Sequence, residues 1–370
     1  MRRTKLHELA ELGQAMWLDY IRRSTIESGQ LGRWVEMGLR GLTSNPSIFE
    51  EAIAGSDDYD DQILELAAQG KTAEEIFEGL SIDDIQRAAR VLRPVYDQTE
   101  GLDGYVSLEV SPHLAQDTEG TLEQARHLFA TVGEPNVLIK IPATNEGYPA
   151  IQTLLAEGLN INITLMFSME QYENVTEAFL SALEERAGRS EDLGRIASVA
   201  SFFVSRVDGK VDPMLDQLDS PEARALKGKI GIANAKMVYQ RFKEIFAGER
   251  WERLAAKGAR RQRVLWASTS TKNPDYPDTL YPDALIGPHT VNTVPPGTLE
   301  AFLDHGTVAL TVERDLDEAR QQLDDLERLG IDLETVTLEL LAEGIVKFAQ
   351  PFDSLMGTIA AKKSQLRRKG

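Results

Sequence analysis

Lys140 is the residue whose type and setting most demand a chemical explanation. It stands inside Val137-Leu138-Ile139-Lys140-Ile141-Pro142, where a strand buried on both faces would carry an unbroken apolar run. Burial at such a position penalises the ammonium form and favours a neutral amine, the state that attacks a carbonyl carbon to form a Schiff base. The competing explanation is a lysine that snorkels out of a strand end with its stem on apolar surface. Further polar residues fall at or near the C-terminal ends of similar runs: Asp19, Asn45, Glu109, Asn162 with Thr164, and Ser201 with Arg206. Each alone reads as a strand-end cap. Together they exceed what capping explains.

Other chemistries find less support. The five histidines, His7, His113, His127, His289 and His305, show no metal-ligand spacing, and no metal or other cofactor is expected. His113 and His289 each neighbour a proline near a strand end, where they border the site or fill local structural roles. With no cysteine in the chain, thiolate ligands, disulfides and a Cys nucleophile are all excluded. No Gly-x-Ser-x-Gly elbow is present. Trp17, Trp34, Trp251 and Trp266 are too dispersed to stack bases and read as core.

The elements that must position these residues alternate. Apolar runs at 15–18, 41–43, 105–110, 137–141, 161–167, 198–204, 264–267 and 284–286 are separated by helical patterns such as 121–130, 170–185 and 221–246. Alternation of this kind predicts βαβ units on a parallel sheet, and eight runs predict a closed (β/α)8 TIM-type barrel. The segment 308–312 reads as a ninth strand or a helix start. A doubly wound open sheet is the alternative, but no run is followed by Gly-x-Gly-x-x-Gly and no Gly-x-x-x-x-Gly-Lys-Ser/Thr occurs. In a barrel the C-terminal strand ends build the active site, so the polar residues above would converge. Extra helices are expected at 57–93, between the second and third strands, and at 315–369. The second ends in Lys362, Lys363, Arg367, Arg368 and Lys369, a solvated basic finish suited to a helix C-terminus. No Pro/Gly/Ser-rich linker divides the chain, which predicts one domain over 1–370.

Composition narrows the partners. The 370 residues include 59 acidic and 40 Lys+Arg, a net charge of −19, which argues against a nucleic-acid footprint while leaving room for a small cationic cluster. No apolar run approaches the ~18 residues of a membrane span. The basic residues at the start precede no apolar segment, so no secretory signal is read there. A cytoplasmic protein without membrane partners is expected.

Two segments carry a more specific likeness. Gly41-Leu42-Thr43-Ser44-Asn45-Pro46-Ser47-Ile48-Phe49 and Val137-Leu138-Ile139-Lys140-Ile141-Pro142-Ala143-Thr144-Asn145-Glu146-Gly147 resemble the two signatures of the transaldolase family, the second surrounding its Schiff-base lysine. Leu18-Asp19, Ser107-Leu108-Glu109-Val110, Asn160-Ile161-Asn162-Ile163-Thr164-Leu165 and Ser201-Phe202-Phe203-Val204-Ser205-Arg206 follow in the family's order. Length and the helical insertion resemble the family's longer bacterial branch. The resemblance implies Lys140 as nucleophile toward a ketose phosphate and Asp19 as acid/base at the C4 hydroxyl. Glu109 and Thr164 would handle water and protons; Asn45, Asn162 and Ser201 would hold dihydroxyacetone hydroxyls, and Arg206 the phosphate. It also implies pentose phosphate pathway chemistry, sugar-phosphate partners and room for a homodimer. Related fructose-6-phosphate aldolases carry an amide at the third-strand carboxylate, so Glu109 favours transfer over release of free dihydroxyacetone; a non-catalytic barrel is a third reading. One departure stands out. Where shorter members place Ser-x-Arg on strand seven, this chain has Ser268-Thr269-Ser270-Thr271-Lys272-Asn273, and Lys272, helped by Ser268 or Ser270, is the expected substitute as a point charge.

Overall fold

A computed structural model describes residues 3–369. Eight strands, all parallel, pair in chain order, and the last closes on the first. They are β1 (Gln14–Asp19), β2 (Gly41–Thr43), β3 (Tyr105–Glu109), β4 (Val137–Pro142), β5 (Ile161–Met166), β6 (Ser198–Phe203), β7 (Arg263–Ala267) and β8 (Thr290–Val294). Closure rules out the open doubly wound sheet.

Period-two alternation explains why the polar residues sit where they do. In β4, Val137, Ile139 and Ile141 join the cluster between barrel and helices, whereas Leu138 joins a second cluster with Ala15, Trp17, Tyr105, Val199 and Leu265. These side chains fill the barrel interior, so it is a packed core and not a pore. Two residues further along the same strands, on the same face, come Asp19 after Trp17, Ser107 after Tyr105, Lys140 after Leu138 and Ser201 after Val199. The plug thus ends in a polar layer at the C-terminal mouth.

The eighth strand differs from expectation. Ala284 ends the helix Leu280–Ala284, and Leu285 and Ile286 are buried without strand structure. The true β8, Thr290-Val291-Asn292-Thr293-Val294, carries polar residues on both faces, Thr293 inward with Val291 and Thr290 and Asn292 outward with Val294, so no continuous apolar run marks it. Segment 308–312 is neither strand nor helix; the N–H groups of Thr311 and Val312 donate to the Ile286 carbonyl, at 2.9 and 3.1 Å. The stretch 221–246 is two helices, Pro221–Leu226 and Ile230–Ile245, broken where Gly228 takes a left-handed φ of 69° and donates its N–H to Asp212. Likewise 315–369 divides into Leu316–Arg328 and Leu333–Lys369, the second restarting where Asp332 accepts from the Thr335 N–H.

The insertion between β2 and β3 comprises the helices Pro46–Ala54, Asp60–Ala68 and Ala73–Gln98. The C-terminal helix Leu333–Lys369 crosses it, and the basic finish is not simply solvated. Lys362 bonds to Asp60 at 2.6 Å and to the Ser56 carbonyl at 2.7 Å, and Lys363 bonds to the Lys71 carbonyl. The Arg367, Arg368 and Lys369 side chains lie outside the described residues.

A buried ion pair fastens the segment after β1 to the insertion. Arg23 Nε donates to Asp84 at 2.9 Å, the Tyr59 hydroxyl donates to the other Asp84 oxygen at 2.9 Å, and the guanidinium lies over the Tyr59 ring. Removing one partner would leave a fully buried charge, a loss of about 3–5 kcal/mol. Denaturant titration should therefore show Arg23→Ala destabilised by that amount and Arg23→Met/Asp84→Leu far less. A single variant as stable as the parent would contradict the assignment.

Candidate active site

Strand register brings the chemistry-bearing residues abreast. Glu109 of β3 aligns with Lys140 of β4, which aligns with Asn162 of β5, and Asp19 of β1 aligns with Thr43 of β2. Lys140 Nζ lies 3.2 Å from Glu109 Oε2 and donates to the Ser44 carbonyl at 3.2 Å. Both side chains of the pair are 6% exposed, so Lys140 does not snorkel into solvent. The sequence counted burial alone, and the structure adds a carboxylate in contact with the amine. Burial raises Glu109 above the usual carboxylate range, with Lys140 as the main opposing influence.

Asp19 is held on the other side of the mouth. The Thr43 hydroxyl donates to Asp19 at 2.7 Å, and the Thr293 hydroxyl, 2.7 Å from Thr43, completes a relay by donating to it. Burial raises Asp19 as well, opposed first by Lys140 and then by the Thr43 bond. Two carboxyls with upward-shifted titration therefore flank one amine, an arrangement suited to proton exchange between them and a substrate.

A cavity of about 760 Å³ opens over these groups, lined by Asp19, Asn45, Lys140, Thr164, Ser201 and Arg206 among others. Asn45 also caps the helix Pro46–Ala54, its Oδ1 accepting from the Ile48 N–H at 3.0 Å, which leaves its NH2 group to face a ligand. Thr164 Oγ1 is buried with no hydrogen-bond partner. Asn162 is fully buried behind the lining; it accepts from the Ser201 hydroxyl at 2.7 Å and donates to the Ser107 hydroxyl at 3.0 Å. It fixes Ser201. Glu109 likewise stands behind the main cavity and borders a second one of about 400 Å³.

Cations gather at the rim of the same cavity. Arg206 Nη1 is buried with no hydrogen-bond partner, an arrangement that leaves the guanidinium ready for an anion. Lys272 is exposed and lines the cavity, as does Ser268, whose hydroxyl lies 2.9 Å from that of Ser205. Sequence reasoning missed Thr43 as Asp19's partner, although it stands in the segment singled out around Asn45. It also missed Thr293 and the cavity residues Leu340, Glu343, Lys347 and Phe348 of the C-terminal helix, for which no local pattern gave a signal. His289 is not at the site: it precedes β8, at the opposite barrel end, near Arg261. His113 pairs with Asp353 at 2.8 Å and lines the second cavity. Among the described residues no His/Asp/Glu group could hold a metal ion.

Comparison with known proteins converges on one family. The model of the family described as Transaldolase/Fructose-6-phosphate aldolase matches residues 16–359. A transaldolase of Trichodesmium erythraeum is 45% identical over 98% of both chains. One of Thermobifida fusca is 48% identical, and the transaldolase 2 of Nostoc punctiforme 47%, each over 96% of this chain and 97% of the relative.

Behind Arg206, a buried network joins its helix, Ser205–Leu218, to the segment after β7 that carries Lys272. Asp208 accepts from the Gly231 N–H and the Tyr281 hydroxyl, and Asp212 from the Gly228 N–H and the Tyr276 hydroxyl. Burial pushes Asp208 up to about 7, the Gly231 and Tyr281 bonds opposing and Asp212 adding to the rise. A folded value above the unfolded one, about 3.9, means stability present below pH ~4 and lost as pH rises through about 7. Within that window the loss is roughly 1.4 kcal/mol per pH unit. Unfolding measured from pH 4 to 8 should show this decline in the parent and a flatter profile in Asp208→Asn; identical slopes would remove Asp208 as its source.

Proposed function

Since the chain belongs to the Transaldolase/Fructose-6-phosphate aldolase family, we propose that it is a transaldolase of the pentose phosphate pathway. It would move a dihydroxyacetone unit reversibly from sedoheptulose 7-phosphate to glyceraldehyde 3-phosphate, giving erythrose 4-phosphate and fructose 6-phosphate. The single observation that carries this reading is a buried amine, Lys140, in contact with the Glu109 carboxylate and facing the same cavity as Asp19.

Lys140 Nζ, as the free amine, adds to the C2 carbonyl of the ketose. The carbinolamine loses its hydroxyl as water, Glu109 supplying the proton and Thr164, with its unused hydroxyl, holding the departing oxygen. In the resulting iminium, Asp19 takes the C4 hydroxyl proton, the C3–C4 bond breaks, and its electron pair moves into the enamine while the aldose leaves. The acceptor aldehyde then takes the electron pair at C3 and the proton from Asp19, and water returns to release the new ketose. Ser201, oriented by Asn162, and the Asn45 amide hold the hydroxyls of the three-carbon unit. Arg206 takes the phosphate, with Lys272 and Ser268 at the rim as the second anion contact. The absence of cysteine, and of any helix long and apolar enough to cross a membrane among the described residues, supports a cytoplasmic setting.

Transfer and simple aldol cleavage separate on the acceptor. Adding erythrose 4-phosphate should accelerate consumption of fructose 6-phosphate and yield sedoheptulose 7-phosphate. Release of free dihydroxyacetone at an unchanged rate would identify an aldolase instead. Asp19→Ala should lower kcat by about 10²–10⁴-fold while still forming the Schiff base. Undiminished turnover would take Asp19 out of the mechanism.

A further inference from the structure

One ring from the C-terminal helix stands over both cations of the site. Phe348 is 5% exposed, and its ring centroid lies 5.4 Å from Lys140 Nζ and 5.6 Å from the Arg206 guanidinium carbon. Phe203, on β6, reaches the same guanidinium at 5.0 Å. The helix can come this close because Gly344 stands one turn before Phe348. A Cβ there would meet Leu165 Cδ2 at 2.9 Å and stand 3.7 Å from Arg206 Nη1. Leu165 itself has a φ of 59°, where β5 slips register against β6 between Ile163 and Met166.

The guanidinium has competing partners. Asp19, Glu109 and Glu343 all exert a favourable charge interaction on Arg206, yet its Nη1 is buried without a hydrogen bond. Glu343 is occupied elsewhere, pairing with Lys210 at 2.6 Å and Lys347 at 3.0 Å. Aromatic faces hold a cation without using its N–H donors. Phe203 and Phe348 therefore account for an arginine that is fixed in place while at least one donor stays free.

We propose that Phe348 is a positioning residue that confers selectivity for phosphorylated substrates, its ring holding Arg206 away from the site's own carboxylates with its donors available to a phosphate dianion. Because the same ring covers Lys140, one rigid group links the carbonyl-binding amine to the anion-binding guanidinium. The inference rests on Arg206 being the phosphate ligand in the reading above.

Phe348→Leu keeps an apolar side chain and removes the π face, whereas Phe348→Tyr keeps the ring. Calorimetry with inorganic phosphate gives Kd, and steady-state kinetics with fructose 6-phosphate and with fructose gives KM and kcat for each donor. The leucine variant should raise the phosphate Kd and the KM for fructose 6-phosphate about tenfold, a larger loss than any toward fructose. The tyrosine variant should stay near the parent. Parental phosphate affinity in the leucine variant, or equal losses on both donors, overturns the proposal. Should the leucine variant melt early, Gly344→Ala, which lifts the helix from the site, must show the same selective loss, and its absence likewise overturns it. A parent that transfers nothing but whose phosphate affinity depends on the ring would sink the transaldolase reading and leave this inference standing.

Discussion

A closed parallel barrel buries both faces of every strand, and that constraint governs where charge can go. The inward side chains at the middle of the barrel are apolar, Trp17, Tyr105, Leu138, Val199 and Leu265 filling the interior, and an inward charge needs a partner, as Arg263 has in Asp103. A lysine one step above this plug must meet counter-charge from neighbouring strands, because a buried unpaired ammonium is too costly. Register supplies it: Glu109 lies abreast of Lys140, and Asp19 comes up beside Trp17's strand end with Thr43. The contact between Lys140 and Glu109 follows from the barrel's geometry as much as from either residue, and the proton chemistry proposed for the site depends on it.

The same constraint divides what the sequence reveals from what it hides. β4 is legible because a run of apolar residues on both faces has one explanation, and a lysine inside it is conspicuous. β8 is not, because Thr290 and Asn292 on its outward face and Thr293 on its inward face are buried polar residues, and polar residues on both faces imitate a loop. Asp19, Asn45, Glu109, Asn162, Thr164, Ser201 and Arg206 are visible as polar interruptions at strand ends. Phe348 is invisible for the opposite reason: an apolar residue on an amphipathic helix looks like any other core residue until the chain folds back across the mouth. Gly228 and Asp332 are as quiet, since the periodic pattern runs through both helix breaks. What the linear pattern encodes is each element's own face; what it omits is which distant element closes over which.

Charge is arranged on two scales. The net charge of −19 describes the surface, where acidic side chains dominate. At the mouth Arg206, Lys210, Lys272 and Lys347 reverse the sign locally, and Glu343 holds two of them in place. A cationic mouth on an acidic protein suits the small phosphate ester proposed as its substrate.

The central claim is that Lys140 is the covalent nucleophile. Its most direct test is reduction with borohydride in the presence of fructose 6-phosphate, followed by peptide mass mapping. The account predicts a dihydroxyacetone-derived secondary amine on Lys140 and on no other lysine. An adduct elsewhere, or none, would contradict it.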